Sequence, residues 1–355
     1  MTLSNVSFAS PRKQIISNEV QLYLDIYFRT VVVTVVGVFG TITNVMSAAV
    51  FIRQGVHDCV SVCLLSLTVT NLVSVTAGVL TLFSKVLIFA NILTNFDPWA
   101  IYYTLPHISA LFYNISTITT TFISVERCLC VTWPLKFSNT FTVRRAVVVL
   151  MGIYLYDIII TMPDHLTMGL ENQFDSKMNK TRLVLWLSPE RPYVDILNRM
   201  FCQLTVESLC VLMLIVSTYS MVRGLRRSLH QWTDHHHVQQ SDAIVPNIAA
   251  KKTSKGNNKV NMKQNVVNTV IILAIVAFIC NSLRLVLIII DHTHPNLATT
   301  EFNLYVDLVA VSYLLQTVNA SVDIFVYLSY NISFRRRFVE MFGTSSMFHL
   351  KCSFI

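Results

Sequence analysis

Ser124-Val125-Glu126-Arg127-Cys128-Leu129-Cys130-Val131-Thr132-Trp133-Pro134-Leu135 is the stretch on which the reading of this chain turns. Ahead of it, from Ile101 to Ser124, there is not one Asp, Glu, Lys or Arg. A helix needs about 20 such residues to cross roughly 30 Å of hydrocarbon. An acid and an arginine then stand side by side at its end. Both are costly in lipid, so the pair belongs at a membrane boundary, facing protein or water.

The rest of the composition agrees. Hydrophobic residues make up 53% of the 355 residues, charged residues 13%, and mean hydropathy is +0.56, where a soluble domain is about one-quarter charged. Apolar runs predict seven spans, at about Thr30–Ile52, Val60–Phe83, Ile101–Ser124, Ala146–Pro163, Met200–Val222, Val266–Ile290 and Leu304–Tyr330. The expected fold is an all-α membrane protein, a seven-transmembrane helix bundle. It divides into an extracellular tail (1–29), a bundle (30–330, its third cytoplasmic loop at about 223–265) and a cytoplasmic amphipathic helix and tail (331–355).

The net charge of +8 needs no nucleic acid to explain it. With the N-terminus outside, 17 of the 27 Lys and Arg fall in cytoplasmic segments, the side on which basic residues collect in membrane proteins. A multi-pass plasma-membrane protein with an extracellular N-terminus is therefore expected. The glycosylation signals at Asn5 and Asn179 would then both face the lumen. Asn114-Ile115-Ser116 and Asn319-Ala320-Ser321 fit the same pattern but fall inside spans. No cleaved signal peptide is apparent in the polar first residues.

Of the eight cysteines, Cys202 alone lies near the outer face, so no disulfide is expected. The run from Arg223 to Lys263 is polar and basic, and Pro246, Gly256 and Asn257-Asn258 predict a mobile loop there. Asp234-His235-His236-His237 within it reads better as a solvated tract than as a metal site. No metal and no cofactor is expected.

The Glu126-Arg127 pair, with Pro134-Leu135 following, resembles the Asp/Glu-Arg-Tyr motif that ends the third span of rhodopsin-like G-protein-coupled receptors, Cys128 replacing the usual Tyr. A second match lies in the seventh span. Asn319, Asp323 and Tyr327 resemble the family's Asn-x-x-x-(Asn/Asp)-Pro-x-x-Tyr, with Ile324 for Pro. Phe334 and Arg335-Arg336-Arg337-Phe338 then resemble the aromatic and basic start of a short helix lying on the membrane. Cys352 is a candidate for palmitoylation. The resemblance spans about Thr30 to Phe338.

It implies roles for particular residues. Arg127 would lie under the arriving G protein, held at rest by Glu126, while Tyr219 and Tyr327 stabilise the opened state. Asn44, Asn71, Ser116 and Asn319 would form a polar core. Asn71 stands where the family has an aspartate that helps hold sodium, so weak or no sodium regulation is implied unless Asp323 supplies the charge.

The outer half departs from the pattern. Tyr102 replaces the cysteine that normally links the third span to the second outer loop, which leaves that loop's geometry open. Ser109 replaces the aspartate of amine receptors, so amine ligands are disfavoured. Val211 stands for the fifth span's proline, and Asn281-Ser282-Leu283 for the sixth span's Trp-x-Pro. Asp157, Glu207 and Arg284 are ionisable groups inside spans, which mark functional positions or paired interiors. Arg284 is expected to pair with Glu207 or Asp307, or else to receive a ligand carboxylate. Ser109, Glu207, Arg284 and Asp307 are the candidate ligand pocket.

Within the family, the wording Phe-Ile-Ser-Val-Glu-Arg-Cys-Leu-Cys-Val…Pro-Leu-Lys-Phe looks most like divergent molluscan chemosensory receptors. The expected partners are an extracellular small-molecule or peptide ligand, a heterotrimeric G protein and the lipid bilayer. A neuropeptide receptor of the same fold is the alternative. A seven-span channel or transporter is a further one, against which stands the lack of internal repeats and of paired broken spans. An enzyme is not expected, because no nucleophile–base constellation appears.

Overall fold

The computed structural model describes residues 15–55, 57–90, 92, 97–133, 136, 142–175, 180–198, 203–241, 246–294 and 297–343, without the side chains at 175, 225, 227–266, 298 and 299. Asn5, Pro134, Leu135, Asn179 and Cys352 lie outside the described residues, as do the side chains of 234–237.

Seven described helices are long and apolar enough to cross a membrane: Asn18–Gln54, Cys59–Phe89, Pro98–Thr132, Val143–Leu166, Leu204–Gly224, Val267–Thr293 and Phe302–Tyr330. Polar residues set their starts. The side chains of Asp58 and Asp97 accept the backbone N–H of Ser61 (3.0 Å) and Trp99 (3.1 Å). Thr142 accepts that of Arg145 at 3.4 Å. Each satisfies one of the donors that a helix start leaves orphaned. Pro98 at the first turn fits there because its missing N–H would have been unpaired anyway.

Small residues set the closest approaches. A Cβ added at Gly37 would come within 2.6 Å of Val79 Cγ2, and one at Gly40 would collide with the Ser321 hydroxyl. The first span therefore sits tightly against the second and the seventh, as small residues permit in lipid. Its helix starts earlier than composition predicts, at Asn18, passing through a π-helical stretch at Leu24–Val32. The charges that argued against a span there pair with one another, Asp25 with Lys85 at 2.6 Å and with Arg29 at 3.5 Å.

The segment between the fourth and fifth spans, whose geometry the sequence left open, forms a hairpin: β1 (Met168–Asp175) and β2 (Lys180–Leu187) pair antiparallel, with Met168 opposite Leu187 and Asp175 opposite Lys180. This hairpin is tied to the start of the third span without cysteine. The Asp97 N–H donates to the Leu183 carbonyl (2.9 Å), and Arg182 lies 3.8 Å from the Asp97 carboxylate. Tyr102, in the cysteine's place, accepts from Arg29 at 3.2 Å. The described cysteines, Cys59, Cys63, Cys128, Cys130, Cys210 and Cys280, are all free.

A further departure concerns the expected mobile loop. The fifth helix runs on to Ser241 and the sixth begins at Pro246, so Gly256 and Asn257-Asn258 fall within helical backbone. A proline opens a helix as readily as it ends one, and a glycine in a helix interior costs only about 1 kcal/mol. Neither residue therefore forbids continuation.

The chain ends in a short helix, Ile332–Phe342, capped by Asn331, whose side chain accepts the Phe334 N–H at 3.0 Å. Phe334 is 0% exposed, its ring 5.0 Å from Phe51 and 5.3 Å from Tyr327. Those three rings lock the short helix to the first and seventh spans.

Candidate functional site

Three groups of polar side chains hold most of the described residues that the sequence singled out. The first is at the end of the third span remote from the hairpin. Glu126 is 1% exposed, and Arg127 grips it with two hydrogen bonds, Nε to Oε2 at 2.9 Å and Nη2 to Oε1 at 2.5 Å. A buried carboxylate is tolerable only when paired so closely. An apolar cluster that includes Cys63, Leu64, Leu67, Ile123, Met221 and Tyr327 occupies the same end of the bundle. Arg127 is thus held by its neighbour in sequence and by no other helix's acid among the described contacts.

Tyr219 is not part of this cluster. It is 66% exposed, whereas Leu214, Ser217 and Met221 on the same helix are buried. Residue 219 therefore lies on the opposite helix face, away from Arg127. Hydrophobicity does not mark the difference, because both faces of a lipid-embedded helix are apolar. Tyr327, by contrast, is fully buried.

The second place is the middle. Ser116 donates to Asn71 Oδ1 (2.6 Å), and Asn71 Nδ2 donates to Asp323 Oδ2 (2.8 Å), joining the second, third and seventh spans. Asn44 donates to the carbonyls of Gly40 (2.8 Å) and Ala320 (2.7 Å). Asn319 donates to the Tyr113 hydroxyl at 3.3 Å, and that hydroxyl donates to Asn281 Oδ1 at 2.6 Å. Of the four residues expected to form a polar core, Asn71 and Ser116 share one network, while Asn44 and Asn319 each make separate bonds. Tyr113 and Asn281 were not foreseen as members. Their signal was an amide in the apolar run around Cys280, since an amide in lipid seeks a partner helix.

The third place is toward the hairpin. Arg284 donates from Nη2 to Asn114 Oδ1 at 2.8 Å, lies 3.9 Å from Glu207 Oε2, and holds its guanidinium 5.6 Å from the Tyr113 ring centre. Of the two acids expected to pair with it, the structure brings Glu207. Asp307 is elsewhere, where the charges of Asp25 and Arg29 act on it. The rotation of the seventh span turns Asp307 toward the first span, away from the sixth. Ser109 is also apart. It forms a reciprocal pair with Ser74, each hydroxyl donating to the other's carbonyl at 2.9 Å. Among the described residues no cluster of three or more metal-ligating side chains is present.

The geometry therefore has a charged cleft at one end, an arginine held by its own acid at the other, and hydrogen bonds between. A family profile described as "Serpentine type 7TM GPCR chemoreceptor Srx" matches residues 34–245, well over half of the chain. The chain belongs to this family. It is a G-protein-coupled signalling receptor of the chemosensory kind. The fold of this serpentine chemoreceptor is similar to that in the crystal structure of squid rhodopsin, 13% identical, with a TM-score of 0.64 over 96% of this chain and 89% of that one. No curated protein matches it. Family and fold are those of receptors, and the helices make this chemoreceptor a multi-pass membrane protein.

Proposed function

We propose that this chemoreceptor senses a small extracellular ligand at the Arg284–Glu207 cleft and passes the signal to a heterotrimeric G protein at Arg127. The N-terminus is extracellular, the hairpin covers the outer mouth, and the receptor works in the plasma membrane with Asn5 and Asn179 glycosylated. Cys352, in the cytoplasmic tail, is available for palmitoylation.

The observation that carries this reading is the Glu126–Arg127 pair. Its two hydrogen bonds are made by adjacent residues (2.9 and 2.5 Å) at the end of the bundle that the apolar cluster occupies. Such a pair can exchange partners once that end opens. Arg127 then swings to the G protein, and Glu126 loses its charge partner. The switch is a two-state element, biased by whatever binds the cleft more tightly in one state.

The cleft at Arg284 and Glu207 is a narrow gap of about 20 Å³, lined also by Asn114, Asp157 and Thr161. A ligand larger than a water enters it only as the surrounding helices move apart. The test is G-protein dissociation in cells expressing the chain, with Arg127→Ala alongside at matched surface density. A ligand response lost in the variant supports the reading. A response that survives Arg127→Ala and G-protein blockade as an ionic current would sink it in favour of a channel.

A further inference from the structure

Asp157 and Glu207 present two carboxylates to a cleft that holds a single guanidinium. We propose that the cleft takes the cationic head, an ammonium or guanidinium, of a small organic ligand, with Asp157 as its counter-ion. This rests on the receptor reading above and adds the chemistry of what is sensed.

The cleft lies between the fourth and fifth spans, with Asn114 of the third and Arg284 of the sixth at its back. Among the described residues the third span packs against both the fourth and the fifth, while those two scarcely touch, which leaves the gap. Arg284 donates there to Asn114 at 2.8 Å and lies 3.9 Å from Glu207, its Nη1 making no hydrogen bond. That ion pair is neutral as a unit.

Asp157 is the group left over. It is 3% exposed, and its Oδ2 is buried without a hydrogen-bond partner. Thr161, the nearest hydroxyl along the helix, donates at 2.7 Å to the Asp157 backbone carbonyl and not to the carboxylate. A second acceptor, Oε1 of Glu207, is likewise buried without a partner. Unpaired carboxylate oxygens are strongly disfavoured at membrane depth, and acids there normally pair or line a ligand path.

Charge balance selects the ligand. An incoming carboxylate would be a third anion beside one guanidinium. An ammonium instead neutralises Asp157, donates to the orphaned oxygens, and leaves the Arg284–Glu207 pair in place. Tyr156, Ile160 and Val206 at the same cleft offer an apolar lining for the ligand's body. Ser109 on the third span argued against amines from sequence; the acid that third-span position lacks is supplied from the fourth span, on another wall.

The test uses full-length receptor in detergent, its thermal stability measured with ethylamine, hexylamine, phenethylamine and hexylguanidine. Alcohols and carboxylates of the same carbon skeletons serve as controls. At least one amine or guanidine should stabilise the receptor where its alcohol and carboxylate do not. Asp157→Asn should weaken that ligand by about tenfold or more, and Asp157→Glu should retain part of the effect. Lack of stabilisation by every cation, or equal stabilisation by alcohols, overturns the proposal on the unmutated protein, whatever the variants' folding. So does undiminished cation binding in a folded Asp157→Asn. G-protein dissociation, read in parallel, separates the two claims. Cation binding without coupling counts against the receptor reading and leaves the site standing. Coupling to other ligands without cation binding removes the site alone.

Discussion

The Tyr113 hydroxyl donates to Asn281 Oδ1 at 2.6 Å while its ring lies 5.6 Å beneath the Arg284 guanidinium. One third-span side chain thus touches the sixth span twice, and through Asn319 (3.3 Å) it reaches the seventh. It stands between the charged cleft and the polar core. A change in the packing around Arg284 reaches this ring, and through it a hydrogen bond that joins the third and sixth spans.

Tyr113→Phe keeps the ring and removes the hydroxyl, leaving Asn281 and Asn319 short of a buried partner. Such a loss costs about 1–3 kcal/mol. The purified variant should melt several degrees lower, and ligand potency should change without loss of surface expression. An unchanged melting temperature together with unchanged potency would remove Tyr113 from the relay.

Glu126→Gln takes the charge from the partner of Arg127 but keeps its shape. Two charge-assisted hydrogen bonds (2.9 and 2.5 Å) become weaker neutral ones. Ligand-free G-protein dissociation should rise several-fold at equal surface density. Basal activity at or below the parent level would mean that this pair is not the resting lock.

Asn71→Asp replaces the amide that donates to Asp323 at 2.8 Å with a second carboxylate. Two carboxylates so close cannot both ionise without a cation. The parent should melt at the same temperature in sodium and choline, and the variant should be stabilised selectively by sodium. A parent that responds to sodium contradicts the role given to the Asn71 amide. A sodium-blind variant shows that Ser116 and Asp323 do not complete a cation site.

Phe334→Ala empties a fully buried position between Phe51 and Tyr327 (5.0 and 5.3 Å between ring centres). Burial losses of this kind cost about 3–5 kcal/mol. Surface expression should fall and the melting temperature drop by more than it does for Tyr113→Phe. A smaller effect would mean that the short helix is held mainly by lipid.

Asp97→Ala removes both the Arg182 contact and the cap on the Trp99 N–H (3.8 and 3.1 Å). The Asp97 backbone bond to Leu183 at 2.9 Å stays. The hairpin should remain paired yet become more sensitive to limited proteolysis. Unaltered cleavage would show that the backbone bond suffices.

Sequence by itself determined the seven spans, since insertion in lipid sums the local transfer energies of neighbouring residues. It also determined the Glu126–Arg127 pair, whose members need no tertiary fold to be adjacent. That Asn71, Ser116 and Asp323 belong together was implied by the family resemblance and not by the residues alone; the hydrogen bonds that join them are set by the packing of three spans. Tertiary structure alone decided the rest: that Arg284 takes Glu207 and not Asp307, that Tyr219 faces outward, and that Asp97 with the hairpin stands in for a disulfide. Tyr113 joining three spans, and Asp157 being left without a partner, also belong to the fold and not to the string. The reason is rotational. Lipid and protein interior are both apolar, so sequence does not say which face of a span turns inward; close approach at residues such as Gly37 and Gly40 sets that rotation.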